Sequence, residues 1–143
     1  MKDCIFCEII RGEAPADIVK SWAGSEIGAI AFTPLNPVTP GHVLVVPNRH
    51  VSDFQDDPRV TGMTFQYASQ LAKELGHESA NLITSKGEYA TQTVLHLHVH
   101  IVPRHENDGL LLPWTLQQQA TIGKMKGLFN SILDGTYEPR EME

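Results

Sequence analysis

Three histidines stand at alternate positions in His96-Leu97-His98-Val99-His100-Ile101-Val102, which runs directly into Pro103-Arg104. In an extended strand, side chains two apart share one face, so the imidazoles form a row while Leu97, Val99 and Ile101 face the other way. Such a row is poor core material, because every ring carries polar nitrogens that need partners. It makes sense as a site: imidazole can attack phosphorus, move protons near neutral pH or bind a metal. His98, in the middle, has an imidazole on either side roughly 6–7 Å away along a strand. With an ordinary pKa of about 6.5 it is largely neutral and nucleophilic at pH 7. Attack on a phosphoryl group by that ring gives a phosphoramidate that water can cleave. Gln92 and Thr93, just before the row, are neutral donors suited to phosphate oxygens, and the row holds no carboxylate. A metal site of alternating histidines on a strand is the competing reading. The chain's two cysteines both lie in Cys4-Ile5-Phe6-Cys7. In a cytosolic chain that spacing points to metal or redox chemistry.

The elements that must position these residues follow from periodicity and punctuation. Residues 4–12 read as a short helix ending at Gly12 with Pro15 beyond it. Residues 18–23 and 26–32 read as strands joined at Gly24-Ser25. Pro34, Pro37 and Pro40 stiffen a loop up to Gly41, and residues 42–46 form a strand stopped by Pro47. Asp57 suits a helix N-cap, Pro58 the first helical position and Gly76 the C-terminal stop. Val60, Met63, Tyr67, Leu71 and Leu75 keep helical spacing between them. Residues 80–85 form a strand, 86–92 a polar loop, and 93–102 the histidine strand. A helix is expected over about 115–134, with Met125, Leu128, Phe129, Ile132 and Leu133 as its stripe, and a charged tail over 136–143. Short turns between several strands favour an α+β fold, a mainly antiparallel five-stranded sheet with helices packed on it.

The chain has 143 residues, 41% of them hydrophobic and 20% charged, which suits a single globular domain over 1–143 with a core that needs no disulfide staples. A net charge of −6 argues against a nucleic-acid-binding surface, though one phosphate can still be held locally. No run approaches the ~20 apolar residues of a membrane span. Met1-Lys2-Asp3-Cys4 has no signal-peptide character, so the expected compartment is the cytoplasm.

His96-Leu97-His98-Val99-His100-Ile101-Val102 resembles the signature of the histidine triad (HIT) family. Cys4-Ile5-Phe6-Cys7-Glu8-Ile9-Ile10 with Gly12-Glu13 and Pro15 resembles that family's amino terminus. Pro37-Val38-Thr39-Pro40-Gly41-His42-Val43-Leu44-Val45-Val46-Pro47 with His50 resembles its central block. Together the three cover residues 4–104 in order. The resemblance implies a HIT-like fold, a homodimer, and a purine nucleotide or nucleotide conjugate as ligand. The chemistry implied is hydrolysis or transfer at the α-phosphate of a nucleoside phosphoramidate, dinucleoside polyphosphate or similar conjugate. His98 matches the nucleophile, His100 the contact to phosphate and leaving group, and His42 a further active-site histidine. Thr93 matches a phosphate-binding hydroxyl, with Gln92 beside it. Positive charge on neighbouring imidazoles is one means of stabilising the reacting phosphate. Some bacterial members resembling this chain hold a structural zinc with the residues that match Cys4, Cys7, His50 and His96, a donor set that suits tetrahedral Zn2+. The alternative for that group is a pair of reduced, partly buried cysteines with His50 on the surface.

Departures from the family pattern bear on the substrate. Pro34 stands where the family often has an aspartate for the ribose hydroxyls, leaving Asn36 as the nearest polar substitute. Ser85 replaces a common asparagine, and Thr91 a common glycine. Phe32 and Leu35, with Ile5, Phe6, Ile9 and Leu44, are candidates for an apolar wall against the base. His77 suits a helix C-terminus, His105 borders the region without a demanded role, and Trp114 reads as a loop anchor. A nucleotide-binding regulatory protein with little turnover is the rival to a hydrolase.

Overall fold

In the computed structural model of the protein, residues 4–23, 26–114, 125, 127 and 129–136 are described. The chain divides into two compact units, Met1–Asp108 and Gly109–Glu143. The first carries all three sequence blocks. It runs α1 (Ile5–Ile10), β1 (Asp17–Trp22), β2 (Ala29–Thr33), β3 (Val43–Pro47), α2 (Pro58–Leu75), β4 (Ala80–Ile83) and β5 (Val99–Pro103), with one 3-10 turn at Glu88–Ala90. The strands form one sheet in the order β1-β2-β3-β5-β4, and every neighbouring pair is antiparallel.

The two faces of the sheet are covered by different helices. Val43 and Val45 of β3, Val99 and Ile101 of β5, and Ala29 and Ala31 of β2 pack against Tyr67, Ala68 and Leu71 of α2. Ile30, Phe32, Leu44 and Val46 point the other way and pack against Phe6 of α1. Each large apolar side chain buried this way contributes roughly 1.5–3 kcal/mol. β2 and β3 are therefore apolar on both faces, and their residues read as nearly continuous hydrophobic runs.

The caps of α2 form as the sequence implies. The Asp57 carboxylate accepts from the backbone N–H groups of Arg59 and Val60, and Gly76 closes the helix at φ 72°. The buried stripe differs from the expected one. Thr64 and Ala68 are fully buried whereas Leu75 is 44% exposed. Thr64 can be buried because its hydroxyl donates to the Val60 carbonyl one turn back, at 2.7 Å. β2 starts at Ala29 rather than residue 26, and Gly28 precedes it where a Cβ would stand 2.6 Å from the Trp22 carbonyl oxygen.

The largest correction concerns the histidine strand. Only His100 lies in β5; residues 92–98 are outside the ladder. The Leu97 amide donates to the Val51 carbonyl at 2.8 Å, and sheet pairing to β3 begins only at Val99 opposite Val45. The alternation survives without strand pairing: Leu97, Val99 and Ile101 are all buried. In the second unit, residues 125, 127 and 129–133 are helical, in agreement with the sequence there. The rest of the expected 115–134 helix, the expected turn at Gly24-Ser25 and most of the charged tail lie outside the described residues. No helix among the described residues is long and apolar enough to cross a membrane.

Candidate active site

A cleft of about 610 Å³ opens beside β3 and the segment leading into β5. Its floor carries His42, His98, His100 and Thr93, and its wall carries Ile5, Phe6, Ile9, Phe32, Leu35 and Leu44, with Asn36 beside them. The wall is built because α1 lays its apolar residues against the face of β2 and β3 that α2 leaves free. Two expected ligands stand elsewhere. Gln92 is spent on its own loop: its amide oxygen accepts from the Gly87 N–H at 2.9 Å, and its amide nitrogen donates to the carbonyls of Ser52 (2.7 Å) and Val94 (3.1 Å). Ser85 is half-buried and does not line the cleft. Gln92 thus holds the segment bearing Thr93 rather than reaching the cleft.

Fixed backbone groups decide which nitrogen of His98 and of His42 carries the proton, and His42 in turn decides it for His100. His98 Nδ1 lies 2.7 Å from the His96 carbonyl oxygen. A carbonyl only accepts, so Nδ1 carries the hydrogen and Nε2 of neutral His98 keeps a lone pair. His42 is set the opposite way. Its Nδ1 accepts from the Val38 N–H at 3.1 Å, so its Nε2 carries the hydrogen and donates to His100 Nδ1 at 2.9 Å. That contact leaves the hydrogen of neutral His100 on its Nε2. His98 and His100, with ring centroids 5.1 Å apart, therefore offer one lone pair and one N–H. Thr84, which nothing in its sequence setting singles out, donates its hydroxyl to the His98 carbonyl at 2.8 Å and holds that backbone from β4's end.

Burial keeps these rings neutral. It pushes His42 and His98 below the ordinary histidine range. His100 is taken down to about 4 by burial first and then by the neighbouring His98 and His42 rings. Burial opposes the positive charge that the sequence offered as one means of stabilising the phosphate, and the free cleft presents N–H and O–H dipoles instead. Among the described residues, no Lys, Arg, Asp or Glu lines it.

The second cluster forms behind Phe6. The donor atoms of Cys4, Cys7, His50 and His96 all lie within 4.8 Å of one another. Cys7 Sγ is 3.3 Å from His50 Nδ1 and 3.5 Å from His96 Nδ1, Cys4 Sγ is 3.4 Å from His96 Nδ1, and the two Nδ1 atoms are 3.0 Å apart. Bonds of about 2.3 Å to sulfur and 2.0–2.1 Å to nitrogen give tetrahedral edges of this order, so the set fits a zinc ion. The His96 tautomer also fits: its Nε2–H donates to the Pro47 carbonyl at 2.8 Å, turning the Nδ1 lone pair into the cluster. His96 is wholly buried, and burial holds its pKa down to about 4. Burial and the adjoining Cys4 thiol push the Cys7 thiol up. A bound cation would reverse that and make it a thiolate. His77 and His105 lie apart, lining another cleft of about 480 Å³ with Pro103 and Arg104. Trp114 lies in the second unit and is half exposed.

Backbone partners were the features sequence reasoning missed. The Val38 N–H, the His96 carbonyl and the Pro47 carbonyl fix three tautomers, yet a backbone group has no residue-type signature.

The HIT domain family model matches residues 13–107. An uncharacterized HIT-like protein of Methanocaldococcus jannaschii is 38% identical over 110 residues, 74% of this chain and 82% of its own. The adenosine 5'-monophosphoramidase of Saccharomyces cerevisiae is 32% identical over 137 residues, 93% of this chain and 84% of its own. A zinc-bound histidine triad family protein from Mycobacterium smegmatis has the same fold with a TM-score of 0.63 and 34% identity, over 77% of this chain and 81% of that one. On sequence and fold together, the chain belongs to the HIT family.

Proposed function

We propose that the protein is a nucleotide hydrolase or transferase acting at the α-phosphate of nucleoside phosphoramidates, dinucleoside polyphosphates or related conjugates, through a nucleotidyl-His98 intermediate. The observation that carries this reading is the opposed pair of tautomers in the cleft, a lone pair on His98 Nε2 and a hydrogen on His100 Nε2. The apolar wall of Phe6, Phe32 and Leu44 takes the base, Asn36 is the polar group beside it, and Thr93 faces the phosphate.

The His98 Nε2 lone pair forms a bond to the α-phosphorus, and the bond from phosphorus to the leaving nitrogen or oxygen breaks with its electron pair. The His98 Nδ1–H stays on the His96 carbonyl and spreads the positive charge that develops on the ring. His100 Nε2–H donates to the phosphate and the leaving atom, where negative charge grows. Water then attacks phosphorus and the N–P bond returns its pair to His98. Over the cycle the water's hydroxyl ends on phosphorus and its proton on the released group, so nothing else is consumed.

Cys4, Cys7, His50 and His96 would hold a zinc ion, which when bound supplies structural cross-linking between α1 and the sheet. A homodimer, supported by the family resemblance, completes the reading. The test is release of AMP from adenosine phosphoramidate. His98→Ala is expected to abolish it while circular dichroism stays native. Undiminished release by a folded His98→Ala protein refutes the assignment, and tight AMP binding by wild type without any turnover favours a regulatory binding protein instead.

A further inference from the structure

The four-donor cluster and the cleft share residues. His96 turns its Nδ1 into the cluster, and its backbone carbonyl accepts the hydrogen that sets the His98 tautomer, at 2.7 Å. Phe6 stands between the two cysteines in sequence. Its ring meets His96 edge-on at 5.9 Å and His98 at 5.1 Å, and it lines the cleft with Ile5 and Ile9. α1 has six residues, far below the roughly 12–15 at which an isolated helix becomes even marginal in water. It is held by burial of Phe6 and by its N-terminus, where Cys4 is the cap and Cys7 lies in the first turn.

We propose that this cluster is a positioning centre for the cleft: a divalent metal on Cys4, Cys7, His50 and His96 orders α1 as the nucleotide wall and fixes the His96 backbone that holds His98, so that metal loading raises nucleotide affinity. The inference rests on the nucleotide reading above and on the fit of the donors to zinc. Linkage makes it reciprocal. If metal raises AMP affinity by some factor, AMP raises metal affinity by the same factor.

The 143-residue chain is compared zinc-loaded and chelator-stripped, with circular dichroism to record folding. Calorimetry gives AMP affinity in each form, and competition with a chromophoric chelator gives zinc affinity with and without AMP. The expected result is AMP binding about tenfold tighter to the loaded form, within the usual range of such couplings, and the same factor in the zinc titration. Phe6→Leu keeps all four donors; it is expected to bind one zinc per chain with a smaller coupling factor, and an undiminished factor overturns the α1 route. AMP affinities equal within twofold in two folded forms overturn the coupling and leave the nucleotide reading standing. AMP binding to neither form overturns that reading and the coupling with it, and failure to bind stoichiometric zinc overturns the coupling at its root. If stripping unfolds the chain, the cobalt-loaded protein carries the test. Its thiolate absorption bands are expected to shift as AMP saturates, and unchanged bands overturn the proposal.

Discussion

Replacing His42 by Ala isolates the part of the site that aims a proton. His42 is buried and makes two hydrogen bonds, from the Val38 N–H at 3.1 Å and to His100 Nδ1 at 2.9 Å. Removing the ring leaves His100 Nδ1 without its donor, so the hydrogen of His100 is no longer confined to Nε2. A hydrogen bond of this kind contributes roughly 0.5–1.5 kcal/mol, and the orphaned buried group costs about 1–3 kcal/mol of stability. Carried into the barrier, about 1.4 kcal/mol is a tenfold loss in rate, so kcat on adenosine phosphoramidate should fall roughly threefold to tenfold. Thermal or denaturant unfolding reports the stability arm, and AMP release under saturating substrate reports the rate arm. His42→Gln carries both an acceptor and a donor in one amide and should recover part of the loss. A folded His42→Ala protein whose kcat stays within twofold of wild type refutes the tautomer argument.

Two other outcomes follow from the same geometry. Burial holds His100 down to about 4 and also lowers His98 and His42, so the acid limb of activity, where the first of these rings takes up a proton, should lie below the ordinary histidine value of about 6.5; half-loss at or above 6.5 contradicts neutral rings in the cleft. The unfolded chain takes up that proton at the higher pH, so stability falls as pH drops from 6.5 toward 4 and recovers as it rises, readable from denaturant midpoints. Gly28→Ala places a Cβ 2.6 Å from the Trp22 carbonyl oxygen and 2.7 Å from Asn48 Nδ2. Overpacking against backbone should cost about 1–3 kcal/mol, and an unchanged unfolding midpoint would contradict it.

The parts of this fold legible in sequence are those set by local chemistry. Asp57, Pro58 and Gly76 announce both ends of α2 because capping needs those residue types. The four-donor group is legible only through the family resemblance: the Cys4-x-x-Cys7 spacing points to a metal, but His50 and His96 stand 46 residues apart and no local pattern joins them to it. The stretch 93–98 has the alternation of a strand but lies outside the ladder, because alternation reports burial, not pairing. Leu97 satisfies the pattern while its amide bonds to Val51, and Gln92 anchors the approach to Ser52 and Val94, contacts 40 residues away in one case and two in the other. The six apolar wall residues were nameable, but their common facing needed α1 and β2 to meet on one side of the sheet.

Covalent catalysis by His98 passes through a nucleotidyl-histidine that can be trapped. Wild-type protein turning over adenosine phosphoramidate is quenched in denaturant and examined by intact-protein and peptide mass spectrometry. The expected result is one nucleotidyl group on His98, formed and lost at rates matching turnover, and none on His98→Ala. An adduct on another residue, or steady AMP release with no adduct at any quench time and full activity in His98→Ala, would contradict it.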